Sequence, residues 1–514
     1  MAIASANRFD NRARDRGRAT FVARSWHFAS LVVARRRPVS ILLGLVSQPL
    51  TMLTFFVPTC LSLSVRMTAV PRLVAPTPVV HGYHLLVLVT QGLEEVASEY
   101  LTANHLVDGP VQVLSQPPVA LGEAAVGKLQ VQVAAPDPEV LLQLQRAPVV
   151  QAVLAFVAAA DGLATSGSWN EDGGVGAAAV PNGALAEMAD LVGTSPHWEH
   201  AVDLLAASGV RDVKSFRASC ACSGRKLEGF GSDDAMRAMG GGVVTGSASP
   251  AWSVDLYGYE VELQGLLCDG HYACGLLLGG EWRATESVRR RKFSIAPFCE
   301  AAGRPYLEHS SSPWYMPRLR PSTALLLLLL AKVRPGEVLL DPFGGSGTVA
   351  IEAAVNFCNV TAITADNHRP TASAAIRNLK LARKSGLAAG AELRAQDWDA
   401  TDLRSRLNAS SVDCVVADLP FGHRCRWNVQ LELPLFLDEL SHVLRPGGRA
   451  VLLMPGYRRV ADILGGADIP AGAADISAGP GGGEAALPLV LVARRRVNVG
   501  GFGCWALTLE ARRE

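Results

Sequence analysis

The chain has 514 residues, 49% hydrophobic and 18% charged, which is enough apolar matter for the cores of two or three domains and excludes a disordered chain. A formal net charge of +1 excludes a histone-like polycation. The charge is uneven: residues 1–80 hold eleven Arg, no Lys and two acids, a net of +9, which leaves −8 for residues 81–514.

Residues 1–37 are Arg-rich and acid-poor and end in Arg35-Arg36-Arg37. Val39–Val65 is a run of 27 uncharged residues broken by Pro49 and Pro58, long enough to span a bilayer. Three readings fit: an organelle transit segment, a membrane anchor, and a dispensable extension with Met67 as an alternative start. The expected location is therefore the cytoplasm or nucleus, or a mitochondrion or plastid if the segment targets. Residues 66–80 are Pro-rich and read as linker.

Tyr83–Thr90 is strand-like, Leu93–Leu101 an amphipathic helix, and Val111–Leu114 and Lys128–Val133 alternate like strands. Residues 137–158 read as helix and strand. The Gly/Ala/Ser-rich stretch 159–196 has few large apolar residues and reads as a loop or insertion. Trp198–Ser208 and Asp234–Met239 are expected helices. Val213–Cys222, Trp252–Leu256, Tyr259–Leu267 and Tyr272–Leu278 are expected strands. From residue 322 helix and strand alternate, which argues α/β with a parallel sheet. The apolar run Leu325–Leu330 is too short for a bilayer and reads as a buried helix.

Ten cysteines occur without any C-x-x-C pair, and Cys220-Ala-Cys222 has no second pair at zinc-ribbon spacing. Buried thiols in a reducing compartment are expected, and no metal.

The strand Glu337–Leu340 runs into Asp341-Pro342-Phe343-Gly344-Gly345-Ser346-Gly347-Thr348 and then the helix Val349–Asn356. A strand, a Gly-rich turn and a helix start form a cofactor-binding corner, in which glycines admit close approach and the helix offers free amides. No Lys follows the glycines and G-x-G-x-x-G is absent, so a phosphate cradle and a dinucleotide fingerprint are both disfavoured. A plain tight turn without a ligand is the bland alternative. Three more strands end in acids. Val360–Ala365 leads to Asp366, placed to accept both hydroxyls of a ribose. Glu392–Ala395 leads to Asp397-Trp398, an acid for an adenine amino group and a ring to lie against it. Val412–Ala417 leads to Asp418-Leu419-Pro420-Phe421. In open α/β sheets ligands sit outside the carboxyl ends of the strands, where all four acids fall.

This order resembles a class I S-adenosylmethionine-dependent methyltransferase, with the Gly-rich corner as its motif I. Asp418-Leu419-Pro420-Phe421 resembles the [DN]-P-P-[YF] motif of enzymes that methylate exocyclic amines, with Leu419 in place of the first Pro. Asp-Leu-Pro-Phe-Gly followed by His423-Arg424 resembles the THUMP-domain RNA guanine-N2 methyltransferases. So do Leu319-Arg320-Pro321-Ser322-Thr323 before motif I, Leu444-Arg445-Pro446-Gly447-Gly448-Arg449 and Val497-Asn498-Val499-Gly500-Gly501. Gln91-Gly92-Leu93-Glu94-Glu95, Ser215–Cys220 and Trp252–Leu256 resemble the family's N-terminal half.

The resemblance implies an α/β fold: a C-terminal Rossmann-like methyltransferase with a mixed seven-stranded sheet, after an α+β THUMP-type RNA-binding region. It sets these expected parts: an extension at 1–80, a ferredoxin-like part at 81–195, a THUMP core at 196–282, a linker at 283–321 and the methyltransferase at 322–514. It implies S-adenosylmethionine held by Asp341 through Thr348, Asp366, Asn367, Asp397, Trp398, Arg320 and Thr323. Asp418, Leu419, Pro420 and Phe421 then hold the acceptor amine, and Arg424, Arg426, Arg289 and Arg290 meet RNA. The implied partners are RNA, tRNA first, and a small zinc-binding activator subunit; neither DNA nor a membrane is expected. Methylation of small nuclear or ribosomal RNA, of another amino group (DNA adenine, protein glutamine), and a non-catalytic RNA-binding role remain alternatives.

Overall fold

The structure, a computed structural model, describes residues 82–104, 106, 111–113, 127–160, 162–163, 182–223, 231–268, 270–279, 319–384, 386, 388, 390–420, 427–464, 487–499 and 502–512. The expectations for residues 1–80 and for the basic run at 289–292 lie outside them. The described residues fall within one unit, Pro76–Glu514.

Two sheets organise it. The N-terminal sheet comprises β1 (Tyr83–Leu88), β2 (Val111–Val113), β3 (Lys128–Val133), β4 (Ala152–Ala160), β5 (Ser215–Ser223), β6 (Ser253–Val254), β7 (Val261–Cys268) and β8 (His271–Gly279). Their order is β2-β3-β1-β4-β8-β7-β5-β6, so strands on both sides of residue 196 share one sheet. Its helices are α1 (Glu94–Ala103), α2 (Pro138–Arg146), α3 (Asn182–Gly193), α4 (Trp198–Ala207) and α5 (Ser232–Thr245). Helix α2 starts where Asp137 Oδ1 accepts the Glu139 amide at 2.8 Å and Pro138 presets the first turn.

Part of the expected loop at 159–196 is helical. The reason lies in how α3 packs. A Cβ on Gly242 of α5 would lie 2.3 Å from the Ala189 carbonyl oxygen, and one on Gly246 2.3 Å from Gly193 Cα. Small residues let the two helices meet backbone to backbone, so a composition that reads as loop is a close helix contact. The expected strand Trp252–Leu256 shrinks to Ser253–Val254. Asp255 Oδ1 accepts the amides of Tyr257 and Gly258 at 2.9 and 2.8 Å, a local turn that competes with the ladder. Helix α5 is longer than the expected Asp234–Met239.

The second sheet comprises β9 (Val338–Asp341), β10 (Thr361–Ala365), β11 (Glu392–Gln396), β12 (Val412–Asp418), β13 (Leu444–Met454), β14 (Leu489–Val499) and β15 (Phe502–Ala511). Its order is β11-β10-β9-β12-β13-β15-β14. All neighbours run parallel except β15, which is antiparallel to both β13 and β14. This is the expected mixed seven-stranded sheet. The order reverses at β9, so a crevice opens between the carboxyl ends of β9 and β12. Helices α6 (Pro321–Leu330), α7 (Thr348–Asn356), α8 (Arg369–Lys384), α9 (Val429–Val443) and α10 (Arg458–Ile463) accompany it. Helix α6, the expected buried helix, is enclosed on all faces from Pro321 to Leu328. No helix among the described residues is long and apolar enough to cross a membrane.

The amino end of this sheet is held by charge. Arg449 of β13, level with Cys414 of β12, donates to Glu337 Oε1 at 3.0 Å and Oε2 at 2.7 Å, and to the carbonyls of Ala331 and Lys332. Arg445 pairs with Asp413, whose other oxygen accepts the Val338 amide at 2.7 Å. The residues Leu444 to Arg449 thus tie β13 to β9 and β12. Because both partners are largely buried, Arg449→Met should cost about 3 kcal/mol in urea unfolding, and adding Glu337→Gln should recover part of that loss.

Candidate functional site

The site is built at the opposite end of the same sheet. Asp341 ends β9 and is level with Thr364 of β10. Continuing the β9–β12 register past Val415 and Leu340 puts Val416 beside Asp341. Asp366 and Asp418 therefore each stand two residues beyond Asp341 on either side, about 6.6 Å further along.

Each carboxylate is short of compensation. Asp341 is 2% exposed, and its Oδ1 accepts the Phe343 amide at 3.3 Å. Burial, with Asp418 and Asp366 nearby, raises its carboxyl well above the ordinary range. Burial likewise lifts Asp418 to about 7. Asp418 Oδ1 is sealed from water and has no hydrogen-bond partner among the described residues. Burial also raises Asp366, although its oxygens accept the His368 amide at 2.9 Å and the Gly345 amide at 3.2 Å. A donor-bearing or cationic ligand supplies what this group lacks.

The turn between β9 and α7 is shaped for close approach. A Cβ on Gly344 would lie 1.6 Å from Thr364 Oγ1, so only glycine lets the turn fold over β10. Gly347 has φ +86 and starts α7. Gly345, at φ +55, has open space where a side chain would be. Asn378 of α8 donates to the Ser346 carbonyl at 2.7 Å and pins the turn. The residues therefore fit an adenosyl cofactor: an open cradle, a helix start, and unpaired acid oxygens.

The expected residues distribute as follows. Asp341, Gly344, Gly345, Gly347, Thr348, Asp366 and Asp418 gather at the strand ends, with Pro342 buried and Ser346 beside Thr348 at 3.3 Å. Asn367 donates to Asp399 at 2.9 Å, which joins the loops after β10 and β11. Asp397 is exposed and pairs with Arg369 at 3.1 Å, while Trp398 is half-buried against the core behind the sheet. Phe343 turns to that core too, its ring 4.9 Å from Trp427 and 5.1 Å from Phe436. Leu419 is buried and its amide donates to the Leu453 carbonyl at 3.0 Å; Pro420 is half-buried. Arg320 precedes α6, and Thr323 bonds to Thr90 across the two sheets. Phe421, Arg424, Arg426, Arg289 and Arg290 lie outside the described residues.

Sequence reading missed the aromatic wall made by Trp427 and Phe436, which steadies Phe343 and through it the turn. It also missed Cys504 of β15, a buried thiol raised to about 11 by burial and by Asp418. No group of three or more His, Cys, Asp or Glu among the described residues is placed to hold a metal.

The chain is similar to known methyltransferases. A family profile described as UPF0020, RMKL-like, methyltransferase domain, matches residues 315–475. The tRNA (guanine(6)-N(2))-methyltransferase THUMP3 of Bos taurus is 31% identical over 267 residues, 50% of this chain and 46% of that one. The U6 snRNA (guanine-N(2))-methyltransferase THUMPD2 of Bos taurus is 27% identical over 240 residues, 47% of this chain and 40% of that one. A "Probable tRNA (guanine(10)-N2)-dimethyltransferase" of Methanothermococcus thermolithotrophicus is 32% identical over 131 residues, 25% of this chain and 76% of that one. The chain belongs to the THUMP-related guanine-N2 methyltransferase family. It spans about half the length of the mammalian relatives it matches. Among solved structures, TrmN from Thermus thermophilus aligns with a TM-score of 0.47 at 21% identity, covering 84% of this chain and 99% of that one.

Two outcomes test the site. Asp366→Ala should weaken S-adenosylmethionine binding in calorimetry by about tenfold or more, because it removes charged acceptors at the turn. The raised acids also set a pH dependence. Between its ordinary value of 3.8 and about 7, Asp418 keeps a proton in the native state that the unfolded chain has released, so stability falls as pH rises through that window. Asp418→Asn removes this penalty. Its Tm should exceed that of the unaltered protein by several degrees at pH 8, with the gap closing towards pH 4 in a thermal scan.

Proposed function

We propose that this protein methylates the exocyclic N2 amine of a guanosine in RNA, tRNA first, with S-adenosylmethionine as donor. The observation that carries the reading is Asp418: a sealed carboxylate oxygen with no partner among the described residues, at the end of β12 beside the glycine turn.

Guanine's 2-amino lone pair is delocalised into the ring, so the nitrogen is a weak nucleophile. Two acceptors on its hydrogens favour a pyramidal nitrogen with the lone pair aimed at the donor carbon. Asp418 Oδ1 is free to be one, and the Leu419 or Pro420 carbonyl is the other. The tie from the Leu419 amide to Leu453 holds this loop on the sheet, so alignment is present before the base arrives. S-adenosylmethionine, when bound, supplies an activated methyl on a sulfonium. Asp341, Asp366 and the turn amides would hold it, with Asp397 and Trp398 proposed at the adenine and Asn367 bridging behind them. The acids favour its positive charge, and the transfer itself needs positioning and electrostatics. The base has to leave its stack to enter, and Phe421 is proposed to stack on it, with Arg424, Arg426, Arg289 and Arg290 on phosphates.

The likeness to the U6 snRNA enzyme favours a second reading, the same chemistry on a small nuclear RNA. The expected small zinc-binding activator belongs to this proposal as well. Among the described residues β11 pairs only with β10, so its outer edge leaves backbone groups open to an added strand.

The test is a radiolabelled methyl assay on tRNA, small nuclear RNA, DNA and protein, followed by nucleoside mass spectrometry. Label in N2-methylguanosine from RNA is expected, and label confined to DNA or protein overturns the reading. Asp418→Ala should retain S-adenosylmethionine affinity and lose turnover by about a thousandfold; unchanged turnover would remove Asp418 from the chemistry.

A further inference from the structure

Away from the catalytic sheet, sulfur collects at one place. Strand β5 carries Cys220-Ala-Cys222, and the alternation of a strand puts both thiols on one face. Their Sγ atoms lie 4.0 Å apart and share a hydrogen bond. Across the sheet, Cys220 is level with Gly265 of β7, and Gly265 with Cys274 of β8. Gly265 puts no side chain between them. A Cβ there would lie 3.2 Å from Cys220 Sγ and 2.5 Å from Met239 Sδ of α5. Cys274 and Met239 are fully buried, Cys220 is half-buried and Cys222 is exposed. Strand β6 pairs only with Ser215 and Phe216, so among the described residues the rest of β5 pairs with β7 alone. The two thiols therefore stand on a sheet edge, one sheltered and one open to solvent.

A disulfide joins Cα atoms about 4.4–6.8 Å apart. Residues i and i+2 of a strand are about 6.6 Å apart, at the far end of that range. A bridge here closes by a local pucker of the edge and is strained once made, and strained or exposed disulfides are the readily reduced ones. The thiols are also unlike. The hydrogen bond from Cys220 holds the Cys222 thiol down at about 7, while the same bond and burial push Cys220 up. Cys222 is therefore the nucleophile at neutral pH, and Cys220 the resolving thiol. We propose that Cys220 and Cys222 form a reversible oxidation site whose oxidant is a low-molecular-weight disulfide. The Cys222 thiolate attacks one sulfur of that disulfide, the small molecule's S–S bond breaks, and the departing thiolate takes a proton from water. Cys220 then attacks Cys222 Sγ, its proton passes to the second departing thiolate, and the Cys220–Cys222 bond forms. Two protein thiols are oxidised, and one small disulfide is reduced to two thiols. The site stands apart from the methyl-transfer reading and does not depend on it.

The test treats the full chain with oxidised glutathione, then reads peptide masses after alkylation without reduction. The peptide that holds both cysteines should become lighter by two hydrogens and take up no alkyl group, and dithiothreitol should restore both thiols. Cys220→Ser should stop at a glutathione adduct on Cys222, because the resolving thiol is gone. Cys222→Ser should leave Cys220 unmodified, because the nucleophile is gone. Exposed Cys358 is the control within the same sample, and should carry an adduct that does not resolve. Cys220 and Cys222 both left open to alkylation overturns the proposal. So does a glutathione adduct on Cys222 that persists in the unaltered protein, or a Cys222 disulfide to a second molecule. Methylation of RNA, or its absence, bears on none of these outcomes, so this inference and the reading of the preceding subsection fail separately.

Discussion

Charge is treated oppositely at the two ends of the catalytic sheet, and the function follows from that difference. At the amino end each carboxylate has its own guanidinium, Glu337 with Arg449 and Asp413 with Arg445. At the carboxyl end Asp341, Asp366 and Asp418 crowd together, and among the described residues none of them forms an ion pair with Arg or Lys. Burial disfavours ionisation of all three carboxyls, and neighbouring acids add to it at Asp341 and Asp366, so all three are raised. A fold keeps such a cost only where something else repays it. A cationic ligand with hydrogen-bond donors does so, by compensating carboxylates taken out of water.

The glycine turn and the acids are one construction. Gly344 lies over Thr364, Gly345 donates to Asp366, and Asn378 holds Ser346 from α8. The turn is fixed by β10, the loop after it and α8, and Gly345 keeps open space where a side chain would be. Phe343 reinforces this from behind, because its ring is set edge-on against Trp427 and Phe436. Its ring thus contributes to the shape of the turn.

Much of the parallel part of the second sheet was legible because β9, β10 and β12 are short apolar runs that lead into an acid. Those ends are chemically loud: Asp341 and Asp418 each close a buried strand. What was illegible depended on contacts between distant segments. Helix α3 looked like a loop because its packing surface is glycine and alanine, whose value shows only when α5 is laid against it. The end of β6 depended on one carboxylate, Asp255, capturing two amides. Asp397 stood in line with the other acids by spacing, yet it is exposed and faces Arg369. Trp427 carried no signal, since a lone tryptophan gives no hint of the ring it meets.

The joint between the sheets connects these observations. A corner held only by local sequence would tolerate a side chain at residue 92; the carbonyl of Arg496 forbids one. The constraint therefore comes from the hairpin of the catalytic sheet, and the hairpin in turn is ordered through β15 to β13 and the loop of Asp418. Thr323, which by its place before the glycine turn reads as a cofactor contact, has its hydroxyl in this seam, bonded to Thr90. The same helix start thus serves the joint. Such sharing makes the two halves thermodynamically one: loosening the seam exposes apolar core shared by both sheets, and that cost opposes hinge motion between them.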